Sequence, residues 1–150
     1  MDVIAPHGST TIVAAHPDDE VIGAASVLLR GREGYVVHVT DGAPRDMHDA
    51  RAAGFGSRAE YARARRAELM NALSHASIDS RSCVQLGVVD QEASFELEIL
   101  ARELAALFRA ELPTSVITHA YEGGHPDHDA AALAVHAAVQ LLRREGDEPP

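Results

Sequence analysis

The chain has no lysine, no tryptophan and one cysteine, with only three phenylalanines and three tyrosines. Each scarcity excludes something. With every base an arginine, and acids outnumbering bases 23 to 13, the formal net charge is −10. Such a chain repels nucleic acid and anionic membrane surfaces. Its one dense basic run, at 63–69, reads as a solvated helix face. A lone cysteine rules out an internal disulfide framework; Cys83 lies in an apolar run and reads as a buried strand residue, compatible with a reducing cytoplasm. No apolar run approaches the roughly 20 residues of a membrane-spanning helix, so no membrane insertion is expected. The opening segment lacks a basic stretch followed by a long apolar core, so no secretory signal is expected either. What remains is ordinary for a globular protein: 150 residues, 46% hydrophobic and 24% charged. That is one domain, 1–150, with a real core.

Short β-rich runs alternate with longer stretches of helical period. Residues 11–15, 35–40, 83–86 and 116–119 read as strands. Residues 19–30, 57–76, 94–110 and 127–143 read as helices. The first helix is stopped by Gly31 and Gly34, and the second is opened by the capping-box spacing of Ser57 and Glu60. Residues 41–56 read as a long loop and 145–150 as a fraying tail. Strands separated by helices of ten or more residues imply βαβ units. The expected fold is a Rossmann-like three-layer α/β/α domain with a mostly parallel sheet. In the common strand order 3-2-1-4, ligands bind beyond the carboxyl ends of strands one and four.

Two polar clusters follow those two strands: AHPDDE at 15–20 and GGHPDH at 123–128. His16 at a strand end and Asp19 on the next helical turn, with Pro17 in that turn, can face one point. His128 completes a set of three, which leaves a position for water on a catalytic zinc. Asp18, beside a ligand but free of the metal, is the candidate general base for that water. His125 is the candidate for stabilising the oxyanion or protonating the leaving group, with Asp127 holding its tautomer. Three consecutive carboxylates and no glycine-rich fingerprint argue against a dinucleotide.

With both motifs in hand, the chain resembles the PIG-L or LmbE-like family of zinc-dependent de-N-acetylases, from the first strand through the helix after HPDH. The resemblance implies a Rossmann-like fold and hydrolysis of an acetamide on an N-acetylglucosamine-type conjugate by zinc-bound water. It implies His16, Asp19 and His128 as metal ligands, Asp18 as base, and His125 with Asp127 as the assisting pair. Arg65 and Glu68 resemble the family's RxxE pattern, whose arginine contacts substrate. Asp90 and Gln91 resemble its DQ segment near the sugar. Tyr121 lies before HPDH, where some members carry a carbonyl-polarising aromatic. Members continue with further strands past the last helix, so the domain reads as C-terminally short.

The long loop, with Arg45, Asp46 and His48, is placed at sugar recognition or a lid. His38, within a strand, reads as a core histidine, and His119, ending one, as a pocket residue. His7, His48, His75 and His136 show no usable arrangement. Iron or cobalt can replace zinc in such a donor set. The implied partner is a small amino-sugar conjugate, and the alanine-rich last helix is a candidate homo-oligomer contact. Other readings stay open: an amidase acting on a thiol-sugar conjugate, an inactive metal-binding module, or a non-haem iron oxygenase. The last normally spaces its ligands HxD rather than HxxD.

Overall fold

The computed structural model describes residues 9–30 and 34–150. The opening segment 1–8, with His7, and the helix stop assigned to Gly31 lie outside the described residues. The elements are β1 (Thr10–Ala14), α1 (Asp19–Leu28), β2 (Val36–Thr40), α2 (His48–Ala52), α3 (Arg58–His75), β3 (Cys83–Val88), α4 (Leu97–Glu111), β4 (Ser115–Ile117) and α5 (Pro126–Glu145). The sheet is four-stranded, ordered β3-β2-β1-β4, and every pairing is parallel. This is the α/β arrangement the alternation implied, and it sets the ends of β1 and β4 side by side.

Period-two alternation divides the strand side chains between two cores. Val13, Ala15, Val37 and Val39 face α4 and α5 and join Leu100, Leu104 and Phe108 in the larger cluster. Burying each of these three large side chains is worth about 1.5–3 kcal/mol. Ile12 and Val36 face the other way, against Ala24 and Leu28 of α1 and Leu69 and Leu73 of α3. On α5, Ala130, Ala131, Ala134 and Ala138 are buried in the larger core. The alanine-rich face is therefore used inside the chain, which removes the reason for assigning it to a second subunit.

Two departures from the sequence reading and one irregularity of the sheet have local causes. The loop at 41–56 contains the short helix α2, preceded by Met47 in the left-handed region. Helix α1 starts at Asp19, with Pro17 ahead of it rather than in its first turn, because Asp18 takes φ 148°. Between β2 and β3 the register slips: His38 pairs with Gln85, but Thr40 pairs with Val88. The extra residue sits beside Gly87, whose φ of +80° suits glycine, and such bulges bend a strand next to a site.

Candidate metal centre

The first cluster is built by a turn between β1 and α1. Asp19 bends back so that its Oδ2 accepts the His16 backbone N–H at 2.8 Å. The same oxygen lies 3.2 Å from His16 Nδ1 and 3.4 Å from His128 Nε2. The second cluster arrives on α5, where His125 is the N-cap and Pro126 occupies the first turn. The helix thus carries His128 across the gap to β1. The rings of His16, His125 and His128 gather within 4.9–5.3 Å or closer, His16 meeting His125 edge-on at 4.7 Å.

This donor set fits a divalent metal. Donor atoms held at zinc's 2.0–2.1 Å stand about 3.3 Å apart at the tetrahedral angle. The separations of Asp19 Oδ2 from His16 Nδ1 and from His128 Nε2 match that edge. Three overlapping sets of potential donors lie here: His16 with His125 and His128, Asp19 with His119 and His128, and His16 with Asp90 and Asp127. His119 is already engaged: its Nε2 accepts the Ala15 N–H at 2.9 Å, and its ring stacks on His128 with centroids 4.0 Å apart. Burial, and then the neighbouring His128, lower its pKa, consistent with a neutral acceptor ring.

Asp127 does not lie where sequence reasoning put it. Its carboxylate was assigned to His125, but Oδ2 stands 3.2 Å from His16 Nε2, and the carboxylate also accepts the backbone N–H groups of Gln91 (2.6 Å) and Ala93 (3.1 Å). The physical reason is the helix start. Its first-turn N–H caps onto His125 Nδ1 at 3.2 Å, while the side chain turns inward and is completely buried. Asp90 reaches the same ring nitrogen: its Oδ1 lies 3.2 Å from His16 Nε2. Burial disfavours a charged His16, yet Asp127, Asp19 and Asp90 outweigh it and hold its pKa up at about 11. Burial also works against an ionised Asp19, but the His16 ring and backbone N–H hold its carboxyl down at about 2. Burial opposes ionisation of Asp127 too, and His16 with the two backbone N–H groups keep it below the usual range. The pocket is rich in carboxylate and is completed by positive charge at its centre, from a proton or a metal.

The remaining assignments divide. The Asp18 side chain is 51% exposed, and its Oδ2 accepts Arg65 Nη2 at 3.1 Å. Arg65 also reaches the Pro17 carbonyl at 2.7 Å, so this guanidinium is on the turn itself. Arg45 pairs with Glu92, and among the described residues neither Arg45 nor Tyr121 hydrogen-bonds to the histidine cluster. Asp129 holds the segment before HPDH through the Glu122 and Gly123 N–H groups, which leaves Tyr121 exposed. His38 and Cys83 are buried as expected, His38 on Glu20 at 2.8 Å. Sequence reasoning gave Glu20 no part; the available signal was a histidine on the inward face of the neighbouring strand, which calls for a buried acid. The backbone donors at Gln91 and Ala93 carried no signal in residue type.

Among the described residues no helix is long and apolar enough to cross a membrane. In sequence the chain is 30% identical over 145 residues to a probable N-acetyl-alpha-D-glucosaminyl L-malate deacetylase of Bacillus subtilis, matching 92% of this chain and 63% of that protein. In structure it resembles the N,N'-diacetylchitobiose deacetylase of Pyrococcus horikoshii, at 25% identity and TM-score 0.72, over 95% of this chain and 55% of that one. It also shares its fold with the 4-carboxy-2-hydroxymuconate hydratase of Pseudomonas putida, at 24% identity and TM-score 0.70, over 95% and 60% of the two chains. The chain thus spans under two thirds of the length of these relatives. The PIG-L family model, described as GlcNAc-PI de-N-acetylase, matches residues 11–139, and the chain belongs to that family.

Proposed function

We propose that the chain is a metal-dependent N-deacetylase acting on an N-acetylglucosamine-type conjugate. The observation that supports the reading most is the approach of His16 Nδ1 and His128 Nε2 to Asp19 Oδ2 at 3.2 and 3.4 Å, close to a tetrahedral zinc edge, with Asp18 next to Asp19 in the same turn. Those three would hold the metal, with zinc the best match to two imidazoles and a carboxylate. When bound, it supplies the Lewis acidity that activates water and polarises the acyl carbonyl.

The chain's own groups do the rest. Asp127 and Asp90 accept the proton of His16 Nε2, which fixes the tautomer that leaves Nδ1 free toward Asp19. In this reading both carboxylates serve the ligand His16. Asp18 takes a proton from the attacking water and returns it to the leaving amine as the amide C–N bond breaks, giving acetate and a free amino sugar. His125 accepts the Asp127 N–H on Nδ1, so its neutral ring carries the proton on Nε2, a donor for the developing oxyanion. The likeness to a hydratase is a likeness of frame and does not choose a reaction.

The test combines metal analysis with acetate release over a panel of N-acetylglucosamine conjugates. The expected result is one metal per chain, acetate and free amine in equal amounts, loss on chelation and recovery with zinc. A free amino sugar released without acetate, from a thiol-sugar conjugate, would replace the deacetylase with an amidase. Unit metal with no hydrolysis of any panel member would reduce the chain to a binding module.

A further inference from the structure

We propose that Glu20 and His38 form a buried clamp that fixes the backbone of Asp18 and so aims its carboxylate; both are positioning residues. The proposal rests on the reading of Asp18 as the general base.

Asp18 is one of the few non-glycine residues with positive φ, at 148°, and this twist delays the start of α1 until Asp19. As the N-cap its N–H has no partner within the helix, and it donates to Glu20 Oε2 at 3.1 Å. Glu20 sits in the first turn of α1 and is buried. The same Oε2 receives His38 Nε2–H at 2.8 Å. His38 stands on β2, fully buried, so its position is fixed by the sheet. The line continues: His38 Nδ1 lies 3.9 Å from Cys83 Sγ, which receives Arg66 Nη1 at 3.2 Å. Arg66 is the neighbour of Arg65, which holds the Asp18 carboxylate from the solvent side. Asp18 is therefore gripped twice from α3: directly on its carboxylate by Arg65, and through Cys83, His38 and Glu20 on its N–H by Arg66.

A stabilising ion pair alone does not account for this. The second oxygen of Glu20, Oε1, is buried without any hydrogen-bond partner. Buried pairs are weak contributors to stability and are retained in known cases where they specify one geometry. Here the geometry specified is a strained turn one residue from a metal ligand, and such strain clusters at working sites.

The experiment measures kcat, KM, metal content and thermal unfolding for Glu20→Leu, His38→Leu, His38→Gln, Asp18→Asn and the double variant Asp18→Asn/Glu20→Leu. Glu20→Leu is expected to lower kcat about 10–100-fold, as a misaimed catalytic group does. KM and unit zinc should hold. His38→Leu should act in the same direction, and His38→Gln, which keeps an N–H at that reach, should restore most of kcat. In the Asp18→Asn background Glu20→Leu should add no further loss, since groups acting as one unit are not additive. If Glu20→Leu fails to fold, the two His38 variants decide alone. Loss of activity in Asp18→Asn together with native kcat in Glu20→Leu and His38→Leu overturns the clamp and spares the base. Further loss in the double variant, or loss of zinc from Glu20→Leu, also overturns the clamp. Unchanged turnover in Asp18→Asn overturns the base, and the clamp with it.

Discussion

The tripeptide His-Pro-Asp occurs twice, at 16–18 and at 125–127, and the two copies do opposite things. In the first, the aspartate is the N-cap, half exposed, with its carboxylate on an arginine. In the second, the histidine is the N-cap and the aspartate is buried in the first helical turn, its carboxylate on His16 of the other copy. The helix starts two positions later relative to the first tripeptide than to the second. Two positions are about 200° around a helix axis, enough to turn a side chain from an exposed position to the interior. The capping contacts select the frame. His125 Nδ1 takes the Asp127 N–H and starts α5 at once, while Glu20 draws the Asp18 N–H away and delays α1. Motif letters therefore name the donors available, and the helix frame decides what each one does.

The strongest way to break this contrast is to make the same change in both copies. Asp18→Asn should lower kcat by about 10²–10⁴ while zinc stays bound, as loss of a general base does. Asp127→Asn should instead weaken zinc binding about 10–100-fold, as loss of a ligand's hydrogen-bond partner does. Competition with a chelator of known affinity measures the second, and acetate release at saturating zinc measures the first. If both variants lost metal equally, the two aspartates would not differ in role.

The contrast also has a pH signature in the metal-free chain. Against its burial, Asp127, Asp19 and Asp90 hold the His16 pKa up at about 11, above the 6.5 of the free side chain. Its contribution to stability is therefore complete below pH 6.5 and is lost as the pH rises toward about 11. Asp19 gives the opposite limb: its carboxyl is held down to about 2, so its contribution is present at neutral pH and disappears as the pH falls toward 2. The two limbs describe one contact and are not added. The unfolding temperature of metal-free protein should fall between pH 7 and 11. Asp127→Asn should flatten that fall, and Asp18→Asn should leave it unchanged.

The frame was the legible part of the molecule. Alternating apolar runs gave four strands and four long helices, and the strand order followed from the topology that βαβ units prefer; β1 beside β4 then brought His16 and His128 together. The donor types that gather there were legible too, since both motifs spell out imidazoles and carboxylates. What could not be read was direction. Asp127, Asp90 and Arg65 were all recognised as site residues, yet each points at a protein partner that depends on where a turn begins: His16 for the two acids, Asp18 for the arginine. The donors to Asp127 from Gln91 and Ala93 are backbone groups, which every residue has. Glu20 was hidden by its neighbours, because three adjacent acids at a helix start look alike until burial separates them.

The smallest effect concerns the prolines, and it asks what holds each frame. Pro126 occupies the first position of α5, where its fixed φ suits a helix and its missing N–H costs nothing. Pro126→Ala should lower stability by about 0.4–1 kcal/mol, because the unfolded chain gains freedom. For a chain of this size that is about 1–4 °C in unfolding temperature. Pro17→Ala should have an effect of similar size. If the caps select the frames, neither change alters kcat or zinc content, since the Glu20 and His125 contacts survive in both. A Pro17→Ala chain that kept its zinc and lost kcat would show instead that the proline, not the Glu20 contact, keeps Asp18 out of the helix.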